Sequence, residues 1–182
     1  MKINRLALRL CMCALVLLRA LSLYADGKDS LSRKMIHMAG IDVKPAYVFP
    51  THEFFAGNNA TFSPIRKNLS VHLKYGFKFA PDTYFGRMYP HAVQGIGVGY
   101  NTFFHSSELG NPWSVYAFQT SRIASLTPRL SLDYEWNFGA SFGWKKYDAE
   151  SNPYNRVVGS KMNAYIHLSF LLNWQLDAQT NL

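Results

Sequence analysis

His167 and Ser169 stand two residues apart, and in this 182-residue chain they are the pair best spaced to cleave an ester. A serine hydroxyl attacks an acyl carbon only when a base within hydrogen-bond reach takes its proton, and a third group must orient that base. Glu135 is the candidate for the third role. If the turn-rich segment DAESNPYN at 148–155 joins two strands in a hairpin, same-face partners have residue numbers adding to 302 or 304. Glu135 then faces His167 or Ser169. Ser169, His167 and Glu135 are therefore the catalytic candidates. Polar residues also line barrel interiors for packing and solvation alone, so the residues by themselves favour lining over catalysis.

Other constellations carry less. Gly95, Gly97 and Gly99 alternate with Ile96 and Val98 inside a strand pattern, and no helix follows, which excludes a dinucleotide-binding loop. The six histidines are scattered, with no pair at metal-ligand spacing, so neither a metal nor a cofactor site is expected. Asn59-Ala60-Thr61 and Asn68-Leu69-Ser70 match a glycosylation sequon, but they read most simply as loop and strand-start residues. Arg66, Lys67, Arg87 and Arg122 have the chemistry to meet lipid phosphates, or to be solvated in loops. Nothing points to nucleic acid as a partner.

The elements that would hold these residues are strands. From Arg129 to Lys145 apolar Leu130, Leu132, Tyr134, Trp136, Phe138, Ala140, Phe142 and Trp144 alternate with polar or small residues. Successive strand side chains point to opposite faces, so one face is apolar and the other polar. The run is longer than the ~5–6 residues usual in a soluble sheet and covers the ~9–11 that cross a bilayer at a tilt. The pattern returns at 158–176, at 69–79 and at 94–105. About six strands are expected, near 42–49, 68–80, 93–105, 113–126, 129–147 and 157–176, with Pro45 favouring an edge or irregular start for the first.

The chain begins like an export signal: Lys2, Arg5 and Arg9 precede an apolar stretch from Leu10 to Leu18, and Ala25 offers a small residue before a cut. Residues 1–25 are read as a signal peptide, 26–41 as an irregular or short helical lead-in, and 42–182 as one barrel domain. Both cysteines, Cys11 and Cys13, lie in the signal, so the mature chain can form no disulfide. The signal carries four positive and no negative residues, which lowers the net charge from +8 to +4. That charge suits a phosphorylated glycolipid surface and is also ordinary for a soluble protein.

An alternating sheet can close with its apolar face inward or outward. Here the polar face is dominated by Gly, Ser and Asn rather than by the dense Lys and Glu of a soluble exterior. Trp136, Trp144 and Trp174 lie on the apolar face, as in an interfacial girdle. The expected fold class is all-β: an antiparallel, up-and-down outer-membrane β-barrel. A soluble lipid-binding barrel is the alternative architecture. Bacterial barrels have an even number of strands from eight upward, so two C-terminal strands are expected to be missing after a turn at Asp177 to Gln179.

Four stretches carry a family resemblance: QGIGVGYNTFF at 94–104, LGNPWSVYAFQ at 109–119, RLSLDYEWNFGASFGWKKY at 129–147 and NPYNRVVGSKMNAYIHL at 152–168. They resemble the outer-membrane acyloxyacyl hydrolases related to lipid A deacylases. The resemblance implies an eight-stranded outer-membrane barrel, a serine-dependent esterase and release of an acyl chain from lipopolysaccharide. Lipid A and outer-membrane lipids would be its partners, and no cofactor is implied. The family's catalytic signature is a His-x-Ser-Asn element on a late strand with an acidic residue to orient the histidine. His167-Leu168-Ser169 fits its first three positions, but Phe170 stands where Asn belongs. The full element would fall on the strand after the Asp177 turn, which leaves this chain catalytically incomplete. A non-enzymatic outer-membrane barrel for membrane integrity or surface binding is the competing function.

Overall fold

The computed structural model describes residues 35–176. The expected signal at 1–25, with both cysteines, and the expected turn at Asp177 lie outside those residues. Six antiparallel strands follow one another in sheet order as in sequence: β1 (Met35–Tyr47), β2 (Lys67–Phe79), β3 (Val93–Thr102), β4 (Gly110–Ser125), β5 (Leu130–Trp144) and β6 (Met162–Trp174). Short helices α1 (Glu53–Ala56) and α2 (Tyr84–Met88) punctuate the first two connections. Each is capped by the residue before it: His52 Nδ1 accepts from the Phe54 N–H, and Thr83 Oγ1 from the Gly86 N–H.

The lead-in expected over 26–41 is corrected by β1, which already begins at Met35. Its sequence hides the strand because Ile36 and Met38 share a face with Asp42 and Lys44, so alternation is lost. Pro45 sits in β1, which among the described residues pairs only with β2, and an edge strand tolerates a missing N–H.

The sheet curls strongly. Lys74 on β2 and Glu135 on β5 approach to 2.6 Å, and Lys44 on β1 comes within 4.0 Å of the same carboxylate. In a flat sheet with strands ~4.8 Å apart, residues three strands away would lie ~14 Å apart. Only a half-barrel lets them meet across a bore. Among the described residues β1 and β6 do not pair, so the six strands form an open half-barrel rather than a closed one.

Side chains are disposed inside out relative to a soluble sheet. Ile166, Leu168 and Phe170 are 74%, 67% and 69% exposed, whereas Ser114, Glu135 and Asn137 are 0%, 2% and 2% exposed. Each large apolar side chain left in water forgoes about 1.5–3 kcal/mol. Leu172, Met162 and Trp174 extend the β6 row. That single strand would thus forfeit an amount comparable with the ~5–15 kcal/mol net stability of a whole domain.

Glycines on β3 make the curl possible. A Cβ at Gly97 would overlap the Tyr116 ring, and one at Gly99 would lie 2.5 Å from His72 Nδ1 and 2.6 Å from Ser114 Oγ. The alternating glycines are thus a groove that receives large side chains from β2 and β4.

At one end of the bore, the connections 48–66, 103–109 and 145–161 pack into a cap with its own apolar core of Phe54, Ile65, Leu109 and Val158. Glu108 ties the three together. Its Oε1 accepts from the Ala60 N–H at 2.7 Å, and its carbonyl accepts from the Asn152 and Asn155 amides at 2.9 and 2.7 Å. Asn59, fully buried, donates to the carbonyls of Phe54 and Ser63, so the first sequon is structural. The opposite end holds the β2–β3 connection and the tight turn at Thr127-Pro128. There Thr127 Oγ1 accepts from the Arg129 and Leu130 N–H groups, and Pro128 pre-sets the bend.

Candidate functional site

Alternation alone decides which side chains reach the bore. On β5 the odd positions face inward, and on β6 they do so too, because residue partners pair with numbers adding to 304: Glu135 with Ser169 and Asn137 with His167. One of the two registers anticipated from the hairpin is therefore the one present. It places all three candidate residues on the inner face.

The bore does not assemble them as a triad. Glu135 accepts both hydrogen bonds from Lys74 Nζ, at 2.6 and 2.8 Å, and further ones from Thr120 Oγ1 at 2.9 Å and Asn137 Nδ2 at 3.2 Å. Asn137 Nδ2 also lies 3.2 Å from His167 Nδ1, so the acid reaches the imidazole only through an amide. Ser169 Oγ is buried and has no hydrogen-bond partner among the described residues. A hydroxyl without a base at ~2.6–3.2 Å is not activated. The geometry gives a serine facing an acid already neutralised by lysine.

Lys74 is the centre of the arrangement. Besides Glu135 it meets Asp42 Oδ2 at 2.6 Å and sits 5.4 Å from the Phe118 ring centroid. Lys44 lies 3.4 Å from the same Asp42 oxygen. Two lysines and two carboxylates thus cancel in charge across the bore, as charges removed from bulk water must. Above them His72 Nδ1 and Tyr116 Oη stand 3.0 Å apart, both side chains buried. Tyr116 packs on Tyr165, whose ring stacks with His167. The arrangement fills and neutralises this stretch of the bore.

Sequence reasoning did not find Asp42, Lys44, Lys74, His72 or Tyr116. The signal was present only for His72 and Lys74, which occupy the polar phase of β2; their partners, Tyr116 on β4 and Glu135 on β5, lie on strands that do not pair with β2 and depend on curvature. Among the described residues no three His, Cys, Asp or Glu side chains gather as metal ligands. No described helix is long and apolar enough to cross a membrane, which does not bear on strands.

Fold and site together define an all-β, antiparallel half-barrel with an exposed apolar wall and a charged, crowded bore. Comparison with family models, curated proteins and solved structures finds no match to this chain.

Proposed function

We propose that the protein is an outer-membrane β-barrel of the lipid A deacylase kind, whose full-length form releases an ester-linked acyl chain from lipopolysaccharide by a serine-dependent mechanism. The inversion of faces carries this reading: the wall that would meet lipid is apolar, and the polar set is buried. Lipid is the solvent in which such a wall costs nothing. The four stretches quoted above supply the enzymatic part. Two observations weigh against His167 and Ser169 as the catalytic pair: Glu135 is held by Lys74, and Ser169 Oγ has no hydrogen-bond partner among the described residues.

A second reading, a non-enzymatic barrel, draws on the same charge-neutral bore, which resembles a structural plug more than a reactive site. Two measurements test the first. In a Gram-negative host the protein should remain with the envelope until detergent is added; release into a detergent-free extract overturns the membrane reading. Mass analysis of lipid A should show loss of one acyl chain in cells producing the protein from its full coding sequence, undiminished in Ser169→Ala. Unchanged acylation overturns the esterase reading in favour of the second, and loss of activity in Ser169→Ala would assign His167 and Ser169 the catalytic role.

A further inference from the structure

The end of the bore opposite the cap opens into a cavity of about 530 Å³, within the ~300–1,000 Å³ range of ligand sites. Lys78 from the end of β2, Arg122 from β4 and Arg129 from the β4–β5 turn line it. Opposing them is one carboxylate, Asp133, 3.7 Å from Arg122 Nε and already accepting from Asn173 Nδ2 at 3.0 Å. Among the described residues neither Lys78 nor the Arg129 guanidinium has an ion-pair or hydrogen-bond partner. Ser131 also lines the cavity; it is 3% exposed, and its Oγ has no hydrogen-bond partner among the described residues. A buried hydroxyl without an acceptor carries the desolvation cost of an unsatisfied polar group. Beside Arg122, β4 changes register at Ile123, a bulge of the kind that re-aims side chains at barrel rims.

We infer that this basin binds a phosphate-class oxyanion, either free in solution or as the headgroup of an anionic lipid. The recognition chemistry is shared by both sources. Guanidinium groups of Arg122 and Arg129 supply planar paired donors, Lys78 a point charge, and Ser131 a hydroxyl donor with no other acceptor among the described residues. Of the four basic residues singled out in the sequence, Arg66, Lys67, Arg87 and Arg122, only Arg122 lines this cavity.

His91, in the β2–β3 connection, reports on the site. Burial holds its pKa below the ordinary imidazole value, the charges of Arg122 and Lys78 lower it further, and Asp133 partly offsets them. An anion in the basin screens those cations, so it should raise the His91 pKa.

The test is calorimetric titration of the full chain in uncharged maltoside micelles. Inorganic phosphate is the probe in one arm and short-chain phosphatidylglycerol in the other, with the His91 imidazole followed by NMR. Saturable binding is expected in at least one arm. The double variant Arg122→Gln, Arg129→Gln should bind about tenfold or more weakly, the order of a lost charge-assisted contact. Ser131→Ala, which keeps every charge and so guards against misfolding, should weaken binding about threefold to tenfold. Binding of lipid alone assigns the headgroup as source, and equal binding of phosphate assigns the free anion. Absence of saturable binding in both arms, or binding by both variants equal to that of the parent with the same rise in the His91 pKa, would overturn the proposal.

Discussion

The barrel wall and the loop cap are built by opposite rules within one chain. In the wall, Leu168 and Phe170 stand open while Glu135 and Asn137 are buried; in the cap, Phe54, Ile65 and Leu109 are buried and Asp148 and Glu150 are exposed. A single solvent cannot favour both. The cap obeys the ordinary hydrophobic effect in water. The wall obeys it only if its surroundings are apolar, which is the basis for proposing a membrane around the strands and water around the cap.

The largest expected effect breaks the bore. Glu135→Ala leaves Lys74 buried with Asp42 alone and should destabilise the barrel by about 3–5 kcal/mol, the range for stripping one partner from a buried pair. Urea unfolding in lipid vesicles measures it. A double change of Lys74 and Glu135 to Met and Leu should recover most of the loss, and failure to recover would show that the pair does more than cancel charge.

The cap should yield separately. Leu109→Ala removes a fully buried side chain from the small apolar core and should cost about 2–5 kcal/mol. The loss should appear as faster proteolysis within 48–66 and 145–161 while the strands stay protected. Equal loss of protection in β5 and β6 would mean that the two regions are one cooperative unit.

Leu168→Arg sharpens the contrast from the other side. In water an exposed leucine-to-arginine change is close to neutral, whereas near the midplane of a bilayer it costs about 2–4 kcal/mol. Refolding yield into vesicles, compared with that of Leu109→Arg, separates the cases.

The smallest effect is electrostatic and local. The Ser151 N–H, the Ser151 hydroxyl and the Glu150 N–H all donate to Asp148, which holds its carboxyl below the ordinary value of 3.8. A depressed folded pKa means that the contribution is present above the unfolded value and lost as pH falls through the folded one. The midpoint of the pH-dependent shift in the amide signals of Glu150 and Ser151 should therefore lie below the ordinary carboxylate value, with no change in the strands. In Asp148→Asn that transition should vanish.

Much of the wall was legible in the sequence because alternation with period two is a local signal. The strands expected near 68–80 and 129–147 appear as Lys67–Phe79 and Leu130–Trp144, and face parity narrowed the β5–β6 register to two choices, of which the 304 pairing is present. β1 was found late because its inward face mixes Ile36 and Met38 with Asp42 and Lys44. The Lys74–Glu135 contact was not legible at all: it joins strands that are not neighbours and exists only because the sheet curls. The cap core escaped for a related reason. Ile65 and Leu109 come from irregular segments in which no period marks what will be buried, Phe54 from a one-turn helix too short to show one, and Val158 from the irregular approach to β6, where the alternation runs on outside the strand.

Solvent-accessibility scanning of β6 tests the central claim most directly. Single spin labels are placed at each position from Met162 to Trp174 of the chain reconstituted in bilayers, with Cys11 and Cys13 replaced. Oxygen, which concentrates in lipid, should relax labels at Ile166, Leu168, Phe170 and Leu172 most strongly, with minima at Tyr165, His167 and Ser169. Labels on the even positions that respond instead to a water-soluble nickel reagent, or a profile without period two, would contradict an apolar wall facing lipid.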